Sequence, residues 1–274
     1  MERWRRAPNP RLPASVQFDQ LLKHRDELLR HIGNVDRLQQ RIVNSMNIDP
    51  SLPTELEQKD ELQRQYSRRF ANQAQYRDAV WKVLTTDFFQ RFIPRDATLL
   101  DLGCGWGEFV NNIVAAKKYG MDLNPDFRER VASDVEPLEQ DCSHEWPLAT
   151  GSLDCVFTSS FLEHLRTKDD LRRTVQQIYR CLRPGGRLIC LGPNIRCLPG
   201  TYWDFWDHYV PLSERSLCEV LELLGFRIER SVARFLPYKM SGRRPVALPL
   251  VRLYLKLPLV WPIFGKQFLV IATK

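Results

Sequence analysis

From Ser15 to Met46, apolar residues recur at Phe18, Leu21, Leu22, Leu28, Leu29, Ile32, Val35, Leu38, Ile42 and Met46, mostly three or four apart. That spacing predicts an amphipathic helix. Leu21, Leu28, Val35 and Ile42 keep a seven-residue step, but Arg25 and Gln39 occupy the alternate seam positions. The pattern therefore allows a homodimer through N-terminal helices without requiring one, and a helix lying on its own domain fits it better. Asp49-Pro50-Ser51-Leu52-Pro53 breaks the helix, and Thr54 with Glu57 has the spacing of a capping box for the next one. Two further helical pieces run to about Phe92, and Ile93-Pro94-Arg95-Asp96 reads as a turn.

At Thr98 the pattern changes to short apolar runs alternating with helical stretches. Strands are predicted at Thr98–Leu102, Tyr119–Leu123, Cys155–Ser159 and Arg187–Leu191, with a helix after Gly107 and another over Lys168–Leu182. Pro184-Gly185-Gly186 is expected to stop that helix and turn into the next strand. An aromatic-rich segment follows Gly192, then a helix over Ser213–Leu224 and strands at Phe226–Phe235 and Gln267–Ala272. Such alternation predicts a Rossmann-like α/β fold: a seven-stranded doubly wound sheet with an N-terminal helical extension and a late apolar insertion. The expected boundaries are 1–75 for the extension, 76–240 for the core, 241–265 for an apolar, basic insertion and 266–274 for the final strand.

Composition narrows the class. With 274 residues, 43% hydrophobic and 27% charged, the chain is neither collagen-like nor disordered. Its seven cysteines are odd in number and scattered, with no CxxC pair, which argues against a disulfide framework or zinc ribbon and for reduced thiols in the cytoplasm. The basic start, MERWRRAPNPRLP, lacks the apolar stretch of a signal peptide. Charge is uneven: from Gly225 to Lys274 ten Lys/Arg stand against one acid, Glu229, so this tail outweighs the whole chain's net +7. An anionic neighbour is implied, whether membrane surface, phosphorylated substrate or nucleic acid.

The strongest chemical signal is Leu99-Leu100-Asp101-Leu102-Gly103-Cys104-Gly105-Trp106-Gly107-Glu108, an apolar strand running into closely spaced glycines. Missing side chains let a ligand approach the backbone. The spacing is GxGxG, and Glu108 stands where a dinucleotide fingerprint would have its third glycine, which argues against an oxidoreductase. Asp122 closes the next predicted strand, 21 residues after Asp101, where an acid can accept hydrogen bonds from ribose hydroxyls. Gln140-Asp141-Cys142 falls where the third strand should end, and Leu153–Ser159 leads into the loop Ser160-Phe161-Leu162-Glu163-His164.

In this order, with Leu182-Arg183-Pro184-Gly185-Gly186, these motifs resemble class I S-adenosylmethionine-dependent methyltransferases of the broad small-molecule and lipid-type group, similar to bacterial polysaccharide-pathway enzymes. The resemblance covers about Tyr76 to Ala233. It implies S-adenosyl-L-methionine as cofactor and S-adenosyl-L-homocysteine as product. It further implies that Gly103, Cys104 and Gly105 lie under the methionine part of the cofactor and that Asp101 organises its amino group. Asp122 would hold the ribose; Leu123, Asp141 and Cys142 would flank the adenine; Ser159 and Phe161 would line the loop beside the sulfonium.

Transfer to oxygen needs a general base as well as alignment. His164 and His208 are the candidates, each with a structural alternative: relatives carry a histidine near His164 whatever their acceptor, and His208 could simply position the helix capped by Ser213. Tyr202, Trp203 and Trp206 are expected to form an acceptor-side wall. No metal is expected, since Glu163, His164 and His208 lack a recognised ligand spacing beyond the adjacent pair.

The segment from Val246 to Phe264 is apolar yet interrupted by Arg252, Lys256 and three prolines, which argues against a membrane span. Two readings stay open for 243–266: a lid packed on the N-terminal helices, or a contact with an anionic membrane at its inner face. The expected reaction is methyl transfer to a small-molecule or lipid-/glycan-linked acceptor, at oxygen. The alternatives are an RNA methyltransferase, and a non-catalytic, methyltransferase-like partner subunit. Basic residues interleaved with long aliphatics, and a Ser-Ser-Phe-Leu loop, argue against nucleic acid.

Overall fold

The computed structural model describes residues 63–64, 68, 73–238 and 246–274. The chain divides into two units, Met1–Gln58 and Lys59–Lys274. The first unit, and with it the predicted amphipathic helix and its seven-residue step, lies outside the described residues.

The second unit is built on a seven-stranded sheet. Its strands are β1 (Thr98–Leu102), β2 (Lys117–Asp122), β3 (Val135–Glu139), β4 (Leu153–Ser159), β5 (Leu182–Pro193), β6 (Arg227–Leu236) and β7 (Gln267–Thr273), in the order β3-β2-β1-β4-β5-β7-β6. The first five pair in parallel and β7 runs antiparallel to both β5 and β6. Strand order reverses beside β1, so β1 and β4 part their connections there, and ligands of such sheets bind at the carboxyl ends beside that point.

Because successive side chains of a strand face opposite ways, the apolar runs feed two cores. Leu100, Leu102, Val156, Leu188 and Val270 face helices α3 (Lys168–Cys181) and α4 (Glu214–Leu223). Leu99, Phe157, Ile189, Leu269 and Ile271 face α1 (Ala74–Asp87) and α5 (Leu248–Lys256). An aromatic cluster fills the second core, with the Phe109 and Phe157 rings stacked at 3.5 Å and Phe88 packed on Phe235 at 4.6 Å. Two further short α-helices are α2 (Phe127–Arg130) and α6 (Trp261–Phe264).

Local chemistry explains the helix starts. Thr167 caps α3 through Asp170 and Ser213 caps α4 through Ser216, each in a reciprocal capping box; Ser213 is the cap expected from sequence. The helix expected after Gly107 is instead a series of turns. Two asparagines there bond elsewhere: Asn112 Nδ2 donates to Glu108 O at 2.8 Å, and Asn111 binds Arg130 O and accepts from Ala132 N. Such side chains compete with a helix ladder. Nor does Pro184-Gly185-Gly186 form a separate turn. Strand β5 begins at Leu182 and carries these residues as a bulge against β4, with Gly185 at φ +78°.

Candidate active site

The glycine loop leaves β1 as a tight backbone turn. Gly103, Gly105 and Gly107 have φ of +69°, +54° and +79°, in the region where a Cβ is penalised. Gly103 and Cys104 donate to Met121 O at 2.8 and 3.1 Å, and Gly105 N donates to Asp122 Oδ2 at 2.8 Å. The end of β2 therefore clasps the loop. A Cβ on Gly103 would lie 2.2 Å from Cγ of Phe161, so the loop after β4 packs directly on the glycine's bare face. Ser160 reaches that position with φ +48° and donates to Leu191 O at 2.8 Å.

Three acids, Asp101, Glu108 and Asp122, surround the turn. Asp101 is buried, and burial, with the carboxylates of Glu108 and Asp122 nearby, holds its pKa well above the usual range. Asp122 is also shifted up by burial, against the opposing N–H groups of Asn124, Gly105 and Leu123. Asp141 accepts from Ser143 N at 2.8 Å just beyond β3. Glu108, at the position of the missing third glycine, pairs with Arg77 of α1 at 2.8 Å and so fixes that helix to the loop.

A second polar cluster follows β4 and β5. His164 Nδ1 lies 2.8 Å from Asp207 O and 3.2 Å from Asp207 Oδ2, and the His164 and His208 rings meet edge-on at 4.9 Å. Burial pushes the Glu163 carboxyl up to about 7, against the pull of His164. Burial opposes the His164 imidazolium, but Asp207 and Glu163 outweigh it and raise the pKa above the ordinary histidine value. His208 is buried, stacked on Phe205 at 5.0 Å and beside Tyr202 at 4.8 Å. One ligand-capable atom each from Glu163, His164 and His208 lies within 4.8 Å of the other two. Folding thus supplies a closeness that residue spacing did not, and the sequence ground against a metal falls away.

A methyltransferase domain model matches residues 70–231, more than half of the chain. The chain belongs to this methyltransferase family. It is 28% identical over 137 residues to a demethylmenaquinone methyltransferase of Symbiobacterium thermophilum, covering 44% of this chain and 53% of that protein. It is 30% identical over 158 residues to a malonyl-[acyl-carrier protein] O-methyltransferase of Methylococcus capsulatus, covering 52% and 56% respectively. The chain spans about half the length of these curated relatives. A SAM-dependent methyltransferase from Archaeoglobus fulgidus shares the fold, with a TM-score of 0.51, 21% identity and coverage of 70% of this chain and 94% of that one. Family and fold imply S-adenosylmethionine as the cofactor and S-adenosylhomocysteine as its product.

The residues fit that cofactor on structural grounds. The loop turns on three glycines at positive φ, and Asn124 Nδ2 and Thr158 Oγ1, near the carboxyl ends of β2 and β4, are buried without a hydrogen-bond partner. The fold brings Asp101, Gly103, Gly105, Asp122, Leu123, Asp141, Ser159 and Phe161 to the same edge of the sheet. Two expected side chains point elsewhere. Cys104 is buried, with Sγ 3.2 Å from where a Cβ on Gly120 would stand, and Cys142 packs in the α3-side core with Sγ 3.4 Å from Thr174 Oγ1. Only their backbones are left to face a cofactor.

The acceptor wall also needs correction. Tyr202 is fully buried; its hydroxyl donates to Val210 O at 2.5 Å and accepts from Leu212 N at 3.2 Å, so it braces the loop instead of meeting a substrate. Trp203 and Trp206 face outward, Trp206 with 82% of its surface exposed. Sequence reasoning weighed Glu163 only as a metal ligand and passed over Asp207, the partner of His164. The adjacency of Asp207 to His208 was the available signal, but their meeting with the post-β4 loop is a tertiary fact.

Proposed function

We propose that this enzyme methylates an oxygen of a small-molecule or lipid-/glycan-linked acceptor. The observation that carries the reading is the cluster of buried Glu163, Asp207 and His208 with half-buried His164, set beside the glycine loop that would carry the donor. When bound, S-adenosylmethionine supplies an already activated methyl group, so the protein's task is alignment, exclusion of water and handling of one proton. Gly103 and Gly105 would receive the methionine part; Asp101 would order its amino group; Asp122 would take the ribose hydroxyls. Leu123 and Asp141 would border the adenine, and Ser159 and Phe161 would lie beside the methyl.

Within the cluster, His208 accepts the acceptor's proton. Asp207 fixes the His164 ring through Nδ1, and His164 in turn supports the His208 ring edge-on. Glu163 is placed to balance the charge that a protonated imidazole brings into the site; burial holds its carboxyl up at about 7, and the pull of His164 favours its ionised form. The O-methyltransferase among the relatives supports an oxygen acceptor. A screen with methyl-labelled S-adenosylmethionine against lipid extracts, lipid-linked sugars and small hydroxyl compounds tests the reading. Label in an ether or ester product, lost in His208→Gln, is expected; label confined to nitrogen, or to RNA, would overturn it.

A further inference from the structure

The insertion between β6 and β7 has a second apolar face that the fold does not use. Inside, Val251, Leu255 and Trp261 are buried against α1 and the aromatic core. Tyr254 and Trp261 lock this arrangement through Tyr254 Oη to Phe235 O at 2.6 Å and Trp261 Nε1 to Tyr254 O at 2.9 Å. The lid-like packing expected from sequence accounts for these residues alone. Outside, Leu250, Leu253, Leu257, Leu259, Ile263 and Phe264 stand in solvent, Leu259 with 90% of its surface exposed and Ile263 with 68%. Leu250, Leu253 and Leu257 follow helical spacing along the outer side of α5 and its end, so they form a stripe and not scattered positions. Contiguous exposed apolar surface of this kind marks an interaction site.

Three observations identify the occupant. First, the rim is cationic: Lys256 and Lys266 are exposed and make no ion pair among the described residues, Arg234 donates to Pro262 O beside α6, and no acid follows Glu229. Long aliphatics under basic heads are the composition of an element lying in an anionic lipid interface. Second, a shallow cleft of about 220 Å³ lies beside the stripe, an apolar concavity lined by Val232, Pro258, Trp261 and Pro262 with the basic Arg234 among them. Third, topology places the face at the working edge. Gln267 pairs with both Pro193 and Leu236, so the insertion leaves and rejoins the sheet at the carboxyl end of β5. The loop bearing exposed Trp203, Trp206 and Tyr209 leaves β5 at that same edge, and the Phe205 and Tyr238 rings join the two segments at 5.9 Å. Amphipathic aromatics of this type favour a membrane–water boundary.

We infer that the outer face of 250–264 docks the enzyme on an anionic bilayer, turning the edge of the sheet that carries the catalytic cluster toward the lipid headgroups. This extends the acceptor reading to the surface on which the acceptor is met, and its test involves no methyl transfer, so either can fail alone. No helix among the described residues is long and apolar enough to cross a membrane, so the contact is peripheral.

The test is flotation of the full chain with phosphatidylglycerol/phosphatidylcholine vesicles and with phosphatidylcholine alone. Binding to the anionic vesicles is expected. Leu259→Glu/Ile263→Glu should lower partitioning about tenfold or more, and Lys256→Glu/Lys266→Glu should lower it about tenfold and remove its salt dependence. These side chains are exposed, so the variants should fold, and unchanged S-adenosylhomocysteine binding verifies it. Absence of vesicle binding, or equal binding by wild type and variants, would overturn the inference. So would a dimer in light scattering that Leu259→Glu dissolves, since the face would then belong to a second copy.

Discussion

The two halves of the sheet solve different problems with different materials. Around β1 and β2 the site is made of backbone: glycines at positive φ, carbonyls and N–H groups clasped across the strand ends, and acids that hold the turn. Beyond β4 and β5 it is made of side chains that are costly to bury: Glu163, Asp207, His208 and Asn194, the last donating to Glu214 Oε2 at 2.6 Å. A donor shared across a family can be met by main chain, whose geometry varies little. On the proposed reading, an acceptor peculiar to one enzyme is met by side chains on longer connections, of which 194–213 is one. The comparison teaches where to look for specificity in this chain.

The sharpest way to break the comparison is Gly103→Val. At φ +69° and with Phe161 already on the glycine's bare face, a side chain should reduce S-adenosylmethionine affinity more than about a hundredfold in calorimetry, from strain plus displacement of the loop. On the acceptor side, His208→Gln should lower kcat by about 10²–10⁴-fold with cofactor affinity unchanged, measured with the acceptor that the labelling screen yields. A comparable loss of cofactor affinity would merge the two halves into one. Smaller is Asp122→Ala, where losing charged hydrogen bonds should weaken cofactor binding by about ten- to a hundredfold. Last, Glu163→Gln should lower the pKa of His164, read from its imidazole resonances in an NMR titration. The sign follows from the charge: Glu163 is one of the groups that favour the imidazolium, so neutralising it removes part of the upward shift.

Much of the donor half was legible in the sequence because its signals are local. The apolar run 98–102 has to be buried on both faces, the glycines admit a turn that other residues resist, and Asp122 falls at the end of the next strand. Boundaries slipped where side chains competed with the ladder, as at Asn111 and Asn112, or where a bulge absorbed Pro184-Gly185-Gly186. The acceptor half was less legible because its geometry is made by tertiary contacts. Tyr202, Trp203 and Trp206 read alike as aromatics, yet one braces the loop from within and two face outward. Glu163 and His208 are 45 positions apart, and tertiary contacts bring their segments together: Tyr209 and Val210 N–H groups donate to Glu163 O, and His164 Nδ1 meets Asp207. Likewise the mixed apolar and basic pattern of the insertion does not sort itself by face in sequence: one side of its helix is buried in the core and the other is exposed.

The division between a backbone-built donor site and a side-chain-built acceptor site is the central claim. Calorimetric titration of S-adenosylhomocysteine into wild type, Asp122→Ala and His208→Gln tests it most directly. The account predicts tight binding to wild type, a loss of about tenfold or more in Asp122→Ala and none in His208→Gln. Equal losses in both variants, or a loss in His208→Gln alone, would contradict it.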